Sequence, residues 1–129
     1  NFFLILDSKL YNLSKYTKRM NEKRLGQLKA MESADPGDPF LVYAIAQEYV
    51  AGKNLPEAKG YFARLVTDHP DYVPTYYHYG LTLYHLGEEE EAIAIWKTGI
   101  PIAEKAGDRK AAAEMRELLD DLEDNDEDW

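Results

Sequence analysis

From residue 39 onward, apolar positions recur at helical spacing. Ala58, Tyr61, Phe62, Leu65 and Val66 fall at i, i+3, i+4, i+7 and i+8, which makes one face of a helix greasy. Ala92, Ile95, Trp96 and Ile100 repeat that stripe. The segments Phe40 to Ala51 and Thr75 to Leu86 are apolar around much of their circumference, as expected for helices packed on more than one neighbour. Breakers separate the patterns, Gly52-Lys53-Asn54 in one case and Gly87 in the other. Asp38-Pro39, and Asn54 followed by Pro56, predict N-caps with first-turn prolines. Pro101 removes a backbone donor late in a helical pattern, which predicts a kink or an early end near Ile100. Beyond it, Gly107-Asp108 reads as a stop and a new N-cap. Ala111, Ala112, Met115, Leu118, Leu119 and Leu122 then form the stripe of a last amphipathic helix, over residues 108–123. Leu25, Leu28 and Met31 predict one more helix ahead of Pro36. The fold class is all-α.

The chain is also self-similar. Asp35-Pro36 and His69-Pro70 lie 34 residues apart, and the same offset maps Val42 on Tyr76, Ile45 on Tyr79, Ala46 on Gly80, Tyr49 on Leu83, Ala58 on Ala92 and Phe62 on Trp96. Two units follow, residues 39–72 and 73–106, each a pair of helices. This period, with a large residue, a small one and then Ala-x-x-x-aromatic, resembles the tetratricopeptide repeat family. Small Ala46/Gly80 and Ala58/Ala92 would let the helices of a pair approach, while Phe62/Trp96 would fill the gap between successive pairs. Val42 stands where Trp is usual and Glu104 where the closing Pro would be. The resemblance implies an α-solenoid of two tetratricopeptide-type helix pairs, with an N-terminal half-repeat helix and a C-terminal capping helix.

Length and charge narrow the picture. The chain has 129 residues and a formal net charge of −9, with 15 Lys+Arg against 24 Asp+Glu. One domain is expected, over residues 21–123. The acidic field argues against nucleic-acid binding, which needs clustered cations. The longest apolar run, Phe2 to Leu6, is far short of a membrane span. No signal-peptide pattern is present, so a cytoplasmic protein without membrane contact is expected. The first Met is Met20, and residues 1–20 are expected to be an extension that is either not native or poorly ordered. The last ten residues hold seven carboxylates, and repulsion among them predicts a disordered acidic tail over 124–129.

Little in the sequence suggests chemistry. Zero Cys removes disulfides, thiolate metal sites and Cys nucleophiles. His78 and His85 are seven residues apart, roughly 10 Å along a helix, with Leu81 and Thr82 between them, so no metal site is expected. Glu88 to Glu91 suit a helix N-terminus rather than acid/base work. No calcium loop, phosphate loop or nucleophile elbow appears, so neither a cofactor nor catalysis is expected.

What remains is recognition. The resemblance implies a concave groove lined by the first helix of each unit. It places Phe40, Tyr43, Gln47, Val50 and Ala51 there from unit one, and Tyr77, Leu81, Tyr84 and His85 from unit two. The expected function is a non-catalytic adaptor that binds a peptide or helix of a partner protein through Tyr43, Gln47, Val50, Tyr77, Leu81, Tyr84 and His85. One subclass of the family holds C-terminal carboxylates through Lys, Asn and Arg. Here Tyr43, Gln47 and His78 stand at such positions, so an apolar segment is the better ligand. The alternative is a homo-oligomeric scaffold, at its simplest a homodimer, because two repeats are fewer than a stack usually needs.

Overall fold

A computed structural model describes residues 21–127, with side chains to residue 123. The expectations for residues 1–20 therefore lie outside the described residues, as do Asp128 and Trp129. The described chain is six helices with no strand: α1 (Glu22–Ala34), α2 (Pro39–Ala51), α3 (Leu55–Asp68), α4 (Pro74–His85), α5 (Glu89–Lys105) and α6 (Arg109–Glu127). Each packs on its neighbour in sequence, and α2 also meets α4, which in turn meets α6. The architecture is an all-α repeat solenoid whose pairs, α2/α3 and α4/α5, occupy the two 34-residue units.

Local chemistry explains most boundaries. Asp38 caps α2 by accepting from Phe40 N at 2.9 Å, with Pro39 in the first turn. Asp108 does the same for α6, accepting from Ala111 N at 3.0 Å. Asn54 occupies the N-cap position of α3 but makes no side-chain cap bond. Pro56, at the second helical position, removes one of the two N–H groups that could donate to that cap. The turn after α2 is carried by Lys53 at φ 60°, while the equivalent residue 34 positions on is Gly87 at φ 84°. Glycine accepts that left-handed backbone freely, and lysine is strained there.

The structure departs from these expectations in places. Of the two outcomes expected at Pro101, a kink or an early end near Ile100, the early end is not found, since α5 runs on to Lys105. Pro101 is on the exposed side, while Gly99 and Ala103 on either side are buried, so packing carries the helix across one lost hydrogen bond. The acidic stretch from residue 124 does not leave the helix at once, because α6 continues to Glu127. An established helix gains one backbone bond per added residue. Of the three residues whose spacing predicts α1, Leu25 is buried, whereas Met31 is 54 % exposed. Polar groups replace it in holding α1: Arg24 pairs with Glu48 at 3.1 Å, Arg64 pairs with Glu32, and Lys29 lies 5.3 Å from the centre of the Tyr49 ring.

Two cores result. One joins Leu25 with Val42, Ile45, Ala46, Tyr49, Val50, Ala58, Phe62 and Leu65. The other joins unit two to α6, with Trp96, Tyr76, Leu83, Ala92, Met115 and Leu118 at its centre. Tyr79 packs against both, stacking on Phe62 with ring centres 5.9 Å apart. Ala58, Phe62, Ala92 and Trp96 are all fully buried, as the shared register requires. Lys59 of α3 reaches Glu88 at the start of α5, at 2.6 Å, and adds a polar tie between the units.

Candidate functional site

The first helices of the two units carry the positions expected to line a groove, and their 34-residue register puts Tyr43 and Tyr77 at equivalent places. Tyr43 is half-buried. Its ring lies 5.8 Å from Tyr72, 5.8 Å from His78 and 6.5 Å from Phe62, in tilted or edge-on arrangements that aromatic pairs favour. Tyr77 meets the same His78 at 5.2 Å, almost perpendicular. One imidazole therefore links the aromatic residues of α2 and α4. Gln47 donates from Nε2 to the Tyr43 hydroxyl at 3.1 Å, one helical turn away. Its Oε1 is buried without a hydrogen-bond partner.

The remaining groove positions differ among themselves. Val50 and Leu81 are buried members of the two cores, Leu81 at 1 % exposure, so neither offers an open contact surface. Tyr84 and His85 are half-buried at the end of α4, with ring centres 6.1 Å apart, and both are engaged. Phe40 is 57 % exposed at the start of α2.

Burial sets the electrostatics of this face. It pushes the Tyr43 hydroxyl up to about 12, helped by Tyr72 and opposed by the Gln47 bond. Tyr77 is likewise raised to about 12, by burial first and then by Glu114 and Glu117 of α6. Both hydroxyls stay protonated across the physiological range. Burial pushes His78 down to about 4, so its ring is neutral. The surface is aromatic, uncharged and able to exchange a few hydrogen bonds. Acidic groups approach it from α6.

His78, which the resemblance sets at a carboxylate-holding position, meets both Tyr43 and Tyr77, while Tyr72, which the sequence did not single out, meets Tyr43. Tyr72 lies in the turn before α4 and gave no periodic signal. Among the described residues no group of three or more His, Cys, Asp or Glu could hold a metal ion. None of the described helices is long and apolar enough to cross a membrane. A cleft of about 450 Å³ lies elsewhere, lined by Asp71, Pro101, Ile102, Lys105 and Ala106, and brings together no set of groups suited to chemistry.

No family model matches the chain, and no curated protein matches it significantly. Solved structures do. The crystal structure of a tetratricopeptide repeat domain protein from Salinibacter ruber is 39% identical over 62% of this chain and 89% of its own, with a TM-score of 0.60. The solution structure under the same protein name and organism gives 39% identity over 65% and 85%, with a TM-score of 0.61. A Bordetella parapertussis protein solved in solution has the same fold at 22% identity, over 79% of this chain and 89% of its own, with a TM-score of 0.69.

Proposed function

This chain belongs to the tetratricopeptide repeat family, and from that membership we propose that its concave face binds an apolar segment of a partner protein. Membership supports a protein-interaction module in general. The finer reading is carried by one observation: Tyr43, His78 and Tyr77 form a continuous, half-buried and uncharged aromatic surface across α2 and α4. Tyrosine suits such a face because it offers a large apolar area and one hydroxyl at little rotamer cost. Gln47 Oε1, buried and unpaired, would accept an N–H or O–H from the bound segment and fix its register. Val50 and Leu81 would form the floor, and Tyr84 and His85 the far end. Nothing in this mechanism needs a cofactor or a reacting group, so the reading is of a non-catalytic adaptor.

The test begins with the chain as bait in extracts of its native cell. A captured partner is then titrated against wild type and Tyr77→Ala. Truncating an aromatic anchor costs about 2 kcal/mol or more, so affinity should fall roughly thirtyfold while the thermal midpoint stays near wild type. An equal loss of stability would make Tyr77 a core residue and end the reading. Light scattering on the same samples separates it from the homo-oligomer alternative, which requires mass to rise with concentration.

A further inference from the structure

The first helix is seated differently from the one it matches 34 positions on. In α3, Ala58, Phe62 and Leu65 are fully buried. Their counterparts in α1 are Arg24, Leu28 and Met31, of which Arg24 and Met31 are exposed and Leu28 is half-buried. Among the 13 residues of α1, Leu25 is the buried one. Most of a helix's stability in a protein comes from the apolar face it packs, so burial holds α1 weakly.

Charge supplies what burial does not. The Glu48 carboxylate of α2 receives two donors from the start of α1, the Asn21 N–H at 3.3 Å and the Arg24 guanidinium at 3.1 Å. Toward the other end of the helix, Glu32 pairs with Arg64 of α3, whose guanidinium lies 5.6 Å from the centre of the Tyr61 ring. Between these ties, Lys29 Nζ lies over the Tyr49 ring, and Tyr49 stacks on Tyr61 with ring centres 5.7 Å apart. Each ring of the stack therefore carries a cation, one from α1 and one that α1 fastens through Glu32. The two carboxylates are largely withdrawn from water, with side chains 12 % and 15 % exposed, while Arg24 and Arg64 remain in contact with it. Pairs open to solvent on one side are screened by mobile ions and weaken as salt rises.

We propose that α1 is an electrostatic latch, which opens as a unit ahead of the rest of the fold when ionic strength rises and thereby uncovers the Tyr49–Tyr61 stack and the core that Leu25 closes. The surface it guards is made of other residues than Tyr43, His78 and Tyr77, so the latch stands or falls independently of the binding reading. The direction of its response to salt is distinctive. A chain of net charge −9 repels itself, and screening relieves that repulsion, so opening of the whole fold should slow as salt is added. Opening of α1 should quicken.

Amide hydrogen exchange of the full chain in sodium chloride tests this, at roughly 10 mM and roughly 1 M, where the screening length differs about tenfold. Exchange across Glu22–Ala34 should become roughly tenfold faster at the higher salt, while that of α5 and α6 stays level or slows. Glu32→Gln combined with Glu48→Gln should bring the same fast exchange to α1 at low salt and leave it little further response. Glu90→Gln, on the exposed side of α5, should leave α1 as in wild type. Exchange in α5 and α6 of the double variant reports whether the remainder is folded. The wild-type comparison needs no substitution and decides the matter even if the double variant does not fold. An α1 that follows α5 in its response to salt would overturn the proposal, and so would a folded double variant whose α1 exchanges at the wild-type rate.

Discussion

At the residue scale, the two units solve one packing problem with different volumes. Unit two places Trp96 against Gly80, where an added Cβ would stand 2.0 Å from the indole Nε1, and that same N–H donates to Tyr77 O at 3.3 Å. Unit one uses the smaller Phe62 with Ala46. The trade recurs at a second crossing. Gly99 leaves room for Tyr76, whose Cβ would lie 2.5 Å from a Cβ built there, whereas unit one pairs Leu65 with Val42. Gly80→Ala should therefore cost about 1–3 kcal/mol or more in chemical denaturation. Trp96→Phe added to it should recover part of the loss by recreating the pairing of unit one. A double variant no more stable than Gly80→Ala would refute this account. His78 makes a second prediction. Its pKa in the folded chain is about 4 against an ordinary 6.5, so the unfolded chain takes up the proton first as pH falls. Its contribution is intact above about pH 6.5 and is lost between about pH 6.5 and 4, a change on the order of 3 kcal/mol. Subtracting the stability profile of His78→Phe from that of wild type isolates it from the carboxylates, and a flat difference would contradict the buried neutral imidazole.

At the element scale, the helices were legible because their ends are written in local chemistry: Asp38 with Pro39, Asp108 after Gly107, and the breakers between paired stripes. Errors arose where packing outweighed local preference. Pro101 is the clearest case, since propensity says stop and the buried Gly99 and Ala103 say continue. Restoring the missing N–H by Pro101→Ala should stabilise the protein by about 1–3 kcal/mol, because the position is exposed and the carbonyl of Lys97 regains its partner. Differential scanning calorimetry reads this as a higher midpoint, and a lowered one would mean that α5 relies on the proline. The acidic end of α6 teaches the same lesson from the other side. Repulsion predicts disorder from residue 124, but the helix anchored by Met115, Leu118 and Leu122 runs on to Glu127.

At the scale of the whole molecule, the described helices form two hydrophobic cores joined through α3 and α4. Repeat proteins derive stability from unit and interface contributions, so cooperativity depends on the joint between them. Here the joint combines Tyr79 stacked on Phe62, Tyr43 against His78, Val66 on the second core and the Lys59–Glu88 pair. The ion pair is partly exposed and contributes little. Tyr79→Ala should then weaken the coupling of the cores. Amide exchange should become faster around α1 to α3 than around α4 to α6, and thermal and denaturant transitions followed by different probes should no longer coincide. A single coincident transition in that variant would show that the interface does not depend on Tyr79.

The sequence by itself determined the repeat length, the pairing of helices, the small residues at their crossings and the aromatic character of the first helices. All of these follow from periodic patterns that any helix must obey to bury one face. Only the tertiary structure decided which aromatics meet. It drew His78 and Tyr72 to Tyr43 and sank Val50 and Leu81 into the cores. The reason is physical. A helical period specifies a face, but which neighbour covers that face depends on the crossing of helices far apart in sequence, and no local pattern encodes it.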